Sequence, residues 1–143
     1  MPRIKPLSEA QNHRCCYCGH SMIFESRSIS FVPNAATRDH VVPRAAGGTN
    51  YDNLVIACRL CNQLRGDLPA LTFFNLLHKW FKEDPTLRAR WHHTSRQERY
   101  QFKIECLAAL ERHLYRRAKQ SVEHAFRHFQ LTMYEGHHFT RAT

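Results

Sequence analysis

The chain lacks any apolar run approaching the roughly 20 residues of a membrane span, which argues against a transmembrane helix. Its first ten residues, MPRIKPLSEA, hold no apolar core of the kind a signal peptide needs. Together these absences set the expectation of a soluble, cytoplasmic protein with no membrane partner. There is no internal repeat and no low-complexity tract, which argues against a repeat array. Acid is scarce: 12 Asp/Glu face 21 Lys/Arg, for a formal charge of +9 and a pI near 9.6. Such a balance favours a polyanionic partner, nucleic acid first, over a merely solvated basic surface. The excess is uneven, with 13 of the Lys/Arg lying beyond residue 68. A length of 143 residues suits one domain, or a small domain with an appendage.

Six cysteines are present, and in a reducing cytosol they read as metal ligands or free thiols. Four of them form two C-x-x-C turns, Cys15–Cys18 and Cys58–Cys61. Each such turn offers two thiolates from one tight loop, so two turns complete the tetrahedral set that structural Zn²⁺ requires. The 39 residues between the turns exceed a simple ribbon's insert, so something further is built there. A β-rich unit of about 60 residues buries too little to fix its own loops, and zinc binding supplies folding free energy. Cys16 is read as a spare thiol and Cys106 as a core residue.

Local patterns place the elements. Ser8 is a candidate cap for a short helix running toward His13. Residues 22–42 alternate strand-like and turn-like pieces and read as a hairpin or irregular ribbon. Residues 43–50 are loop chemistry, 54–57 a brief apolar run, and 59–64 a short helix ended by Gly66. After Pro69, residues 69–83 form an amphipathic helix that Pro85 stops. The spacing of Ile104, Leu107, Leu114, Ala118, Val122, Ala125, Phe129 and Met133 predicts one long helix over 97–135. That helix either packs on the rest, forms a homodimer interface, or offers its basic face (Arg112, Arg116, Lys119) to nucleic acid. The remaining histidines lack partner carboxylates at convincing spacing and read as surface or packing residues.

Between and after the cysteine turns stand Asp39-His40-Val41-Val42-Pro43, Gly47-Gly48, Asp52-Asn53-Leu54 and Cys61-Asn62, closing on Arg65-Gly66. In this order the motifs resemble the HNH endonuclease family, in its branch with two zinc knuckles. The resemblance covers about residues 8–68. It implies an α+β fold: a ββα-metal core in residues 1–68, stapled by zinc on Cys15, Cys18, Cys58 and Cys61. A mostly helical extension, residues 69–143, would follow. Residue by residue, it implies His40 as general base, Asp39 and Asn62 as ligands of the catalytic ion, and Asn53 as a loop tether.

The chemistry is consistent with those roles. Phosphodiester hydrolysis needs an activated water and charge relief at phosphorus. Histidine, with an unperturbed pKa near ~6.5, accepts a proton at neutral pH. One carboxylate and one amide oxygen are hard ligands that suit Mg²⁺ or Mn²⁺ better than zinc. Arg38, Arg44 and Arg65 flank the motif, and each is a candidate phosphate contact. The expected substrate is double-stranded DNA. A non-catalytic zinc-knuckle module that binds nucleic acid, or an RNA nuclease, is the alternative. One condition is attached: neighbours on a regular strand face opposite ways, so Asp39 and His40 share one phosphate only where the strand ends or bends.

Overall fold

The computed structural model describes residues 4–24, 32–42, 53–115 and 122–135. The element order is α1 (Ile4–Ala10), β1 (Ala36–His40), β2 (Leu54–Cys58), α2 (Arg59–Arg65), α3 (Ala70–Glu83), α4 (Arg96–Tyr115) and α5 (Val122–Glu135). A single 3-10 turn, Trp91–His93, lies between α3 and α4.

The two strands pair antiparallel, from Ala36 opposite Cys58 to His40 opposite Leu54. All five residues of β2 are buried. Its run of Leu-Val-Ile-Ala-Cys suits a strand covered on both faces. One cover is the stretch after α1. The Gln11 side chain donates to the Ile56 carbonyl at 2.7 Å and accepts from its N–H at 2.8 Å. The amide thus copies a strand's pairing pattern. Helix α2 follows β2 with no linker, and the Cys58 sulfur caps it by accepting from the Cys61 N–H. Gly66 ends it with φ at +56°, a left-handed value that favours glycine.

Helix α3 buries Ala70, Phe73, Leu77 and Phe81, the spacing of one helical face. It ends at Asp84, whose extended backbone is what the following proline imposes. One cluster of buried side chains runs from Cys15 through Ile56, Phe73 and Phe102 to Phe129. The core therefore crosses residue 68 without a break.

Three local expectations change. Ser8 lies inside α1 rather than at the start of a helix; it is buried, and its hydroxyl meets His13 Nδ1 at 3.2 Å. The single helix over 97–135 is two helices. Phe102 reaches Phe73, Phe73 reaches Tyr17, and Tyr17 reaches Phe129, each ring step under 6 Å. A continuous helix would hold Phe102 and Phe129 about 40 Å apart, so α4 and α5 are separate helices that both reach the Phe73–Tyr17 pair. The face of α4 is also different: Phe102, Cys106 and Ala109 are buried while Ile104 and Leu107 are exposed. Aromatic packing on Phe73 and Trp91 decided the rotation against the aliphatic stripe. Of the ribbon predicted over 22–42, the described residues hold one isolated bridge, Ile23 to Ala35, before β1; a second, Arg14 to Ser21, precedes it. Pro43, Arg44, Gly47, Gly48, Asp52, Arg116 and Lys119 lie outside the described residues.

Candidate metal centre and active site

The two C-x-x-C turns converge. The Sγ atoms of Cys15, Cys18, Cys58 and Cys61 all lie within 4.8 Å of one another, and all four residues are buried. A tetrahedron with Zn–S near ~2.3 Å has edges of about 3.8 Å, and Cys18 Sγ stands 3.9 Å from Cys58 Sγ. Backbone N–H groups already point at the sulfurs, from Tyr17 to Cys15 at 3.3 Å and from Cys61 to Cys58 at 3.4 Å. Burial pushes the thiols of Cys18, Cys58 and Cys61 up. Burial opposes ionisation of Cys15 as well, but hydrogen bonds from its four cysteine neighbours outweigh it and hold that thiol well below its usual value. A bound cation favours the thiolate form of all four. The geometry and the donor chemistry fit a zinc knuckle. Cys16 stays outside the cluster and is buried.

The residue that follows Cys61 in α2 faces β1. Asn62 Nδ2 donates to Thr37 Oγ1 at 2.9 Å and to the Arg38 carbonyl at 3.1 Å. Thr37 gives its own proton to the Ala57 carbonyl, so both partners of Asn62 can only accept. The amide orientation is thereby fixed, and Oδ1 is left as the ligand-competent atom. Asn53, fully buried, accepts from the Val42 N–H at 2.8 Å and donates to the Val42 carbonyl at 2.7 Å. It ties the chain just past His40 to the start of β2.

Asp39 is 6% exposed. One of its oxygens accepts from Arg65 Nη1 at 2.6 Å, and the other accepts from the Tyr17 hydroxyl. Burial raises the Asp39 carboxyl pKa, and the Arg65 charge with these hydrogen bonds pulls it back only in part. Burial also works against the Arg65 cation, but Tyr17 and Asp39 outweigh it and keep the guanidinium charged.

Arg65 corrects an expectation. Read from sequence as a phosphate contact, it is 2% exposed. It donates inward to Asp39, to the carbonyls of His40 and Val41, and through Nε to the Leu68 carbonyl at 2.6 Å. Its position in the closing Arg-Gly pair carried no sign of burial, which needs the Tyr17 ring 5.9 Å away and the chain's turn at Leu68. Arg38 is exposed on β1.

The strand stays regular through His40. Asp39 is therefore directed inward, and half-buried His40 leaves from the opposite face. The ladder stops there: past His40 the Val41 N–H bonds the Asn53 carbonyl, and the paired strand is over. Asp39 and Asn62 come from the side of β1 that meets α2, and His40 stands at the strand's end.

Two further residues escaped the sequence reading. Trp91 Nε1 lies 3.3 Å from Cys61 Sγ, and His92 Nε2 lies 3.2 Å from Cys58 Sγ. No spacing rule links positions 30 or more residues away to a cysteine knuckle. Burial, chiefly, lowers the His92 pKa to about 4, which keeps the ring neutral.

Residues 15–68, 54 of the 143, match the family model for HNH endonuclease. Over 63 residues, 43% of the chain, the sequence is 40% identical to the CRISPR-associated endonuclease Cas9 of Corynebacterium diphtheriae. The chain spans 5% of that relative's length. No solved structure matches. The mixed fold, with its two-stranded antiparallel sheet, clustered cysteines and helical C-terminal part, is consistent with the ββα class. No helix among the described residues is long and apolar enough to cross a membrane.

Proposed function

We propose that this protein is a metal-dependent endonuclease that hydrolyses phosphodiester bonds in double-stranded DNA. The observation that supports it most is the match of residues 15–68 to the HNH family model, within which the Asn62 amide nitrogen is bonded to the strand that carries Asp39 and His40, leaving its oxygen available as a ligand. The basic charge of +9 favours a polyanionic substrate.

In this reading His40, at the end of β1, takes the proton of the attacking water. Asn62 Oδ1 and Asp39 hold one Mg²⁺ or Mn²⁺. A carboxylate has about four lone-pair sites; Tyr17 and Arg65 occupy two and fix its direction. Among the described residues no His, Cys, Asp or Glu group besides the four cysteines gathers three ligands. An ion here rests on two protein oxygens, which suits one that keeps several waters. When bound, it would polarise a phosphate oxygen and relieve charge at phosphorus. Arg65 acts as a strut, joining Asp39 to the carbonyl of His40. Arg38, exposed on β1, and Arg44 approach the phosphate backbone. Zinc occupies the four cysteines as a structural ion. A homodimer through α4 goes with this reading, because Tyr100, Ile104 and Leu107 leave a stripe of apolar surface in solvent.

A second reading is favoured by the inward pairing of Asp39: a domain that binds nucleic acid without cutting it. Incubation with supercoiled plasmid separates the two. Nicking with Mg²⁺ or Mn²⁺, none with EDTA, and none by His40→Ala is expected. Retarded but intact plasmid under all conditions would favour the binder, and cleavage of RNA alone would replace the substrate.

A further inference from the structure

We infer that the 3-10 turn Trp91–His93 is a cap on the zinc site, holding the metal through hydrogen bonds to the thiolates of the second knuckle. The inference rests on the zinc reading above and is independent of any nuclease activity. An indole N–H can only donate, so Trp91 donates to Cys61 Sγ at 3.3 Å. A zinc-bound sulfur carries no proton, so at 3.2 Å it accepts from His92 Nε2–H, which fixes the ring tautomer. Each sulfur of that knuckle thus receives one donor from 30 or more residues away.

These donors are held in place. Trp91 is 1% exposed, with its ring 5.6 Å from both Phe81 of α3 and Phe102 of α4. Thr94 closes the turn onto the Trp91 carbonyl at 2.8 Å. Arg99 of α4 then grips it twice, at the His92 carbonyl and at Thr94 Oγ1, both at 3.0 Å. A connection thus runs from α4 through the turn to two zinc ligands. Four thiolates around one Zn²⁺ leave a net charge of −2, and N–H donors spread that charge and strengthen the ligand set. The turn also covers the sulfurs, so a chelator meets the helical half before the metal. On this account the residues beyond the HNH match are the part of the chain that retains the zinc.

The test is zinc release from the full-length holoprotein into a chromogenic chelator. His92→Phe keeps a ring and removes the donor; release should accelerate by about tenfold or more. His92→Gln keeps an amide donor and should stay near the wild-type rate. Arg99→Gln, which only unpins the turn, should give a smaller increase in the same direction. With Co²⁺ in place of zinc, the sulfur-to-metal charge-transfer band should shift in His92→Phe and not in His92→Gln, a signature that lost packing alone would not produce. Wild-type retention in His92→Phe, or equal leakage from the Phe and Gln variants, would overturn the cap. A protein that takes up neither zinc nor cobalt would overturn the zinc reading, and the cap with it.

Discussion

Helix α2 serves two regions of different chemistry within seven residues. Its first turn carries Cys61 into a cluster of four soft ligands that is closed on every side by protein. Its following residues carry Asn62 and Arg65 to β1, where they bond Thr37, the Arg38 carbonyl and Asp39. The contrast lies in how each region obtains its order. The cysteine cluster is dry and self-contained, so a metal completes it. The Asp39 face is already satisfied by protein groups, and its Arg65–Asp39 pair holds the strand end in place. On the proposed function, a soft site that fixes the fold and a hard site that does chemistry would be loaded and emptied separately.

That contrast can be broken first at the zinc. Stripping the metal by prolonged chelation, or Cys58→Ser, should unfold residues 15–68, because structural zinc contributes on the order of 10 kcal/mol to folding of so small a unit. Circular dichroism during chelation checks it; an unchanged spectrum would make the cluster dispensable. Arg65→Ala comes next, with a loss of about 3–5 kcal/mol in denaturant unfolding, since Asp39 would be left buried and unpaired. An unaffected midpoint would mean that the pair is not a strut. Asn53→Ala should cost about 1–3 kcal/mol through two orphaned groups on Val42, with zinc content unchanged. Leu107→Ser, on the exposed face of α4, should move the stability of the isolated chain by less than about 0.5 kcal/mol while weakening the proposed dimer; an unchanged sedimentation mass would mean that this stripe is not the interface.

The legible parts were those encoded at short range. The C-x-x-C turns have a fixed reach, and Gly66, Pro69 and Pro85 punctuate α2 and α3 where the backbone requires it. Asn53 and Asn62 stand in a motif whose order is specific. Long-range choices were not legible. The rotation of α4 followed Phe102 packing on Phe73 and Trp91, although Ile104 and Leu107 fit a helical stripe equally well. Arg65 looked like a phosphate ligand because its sequence neighbours say nothing of Tyr17 and Asp39, which come to it from 26 or more residues away. The roles of Trp91 and His92 were hidden for the same reason. A thiolate's hydrogen-bond donors are set by where the chain returns, not by spacing.

The most direct measurement keeps the two regions in one sample. The protein is exposed briefly to EDTA, passed through a desalting column, and assayed for zinc content and plasmid cleavage before and after Mg²⁺ is restored. The account predicts about one zinc per chain throughout, no cleavage after EDTA, and full recovery with Mg²⁺. Cleavage that persists without added Mg²⁺, or that returns only when zinc is supplied, would contradict it.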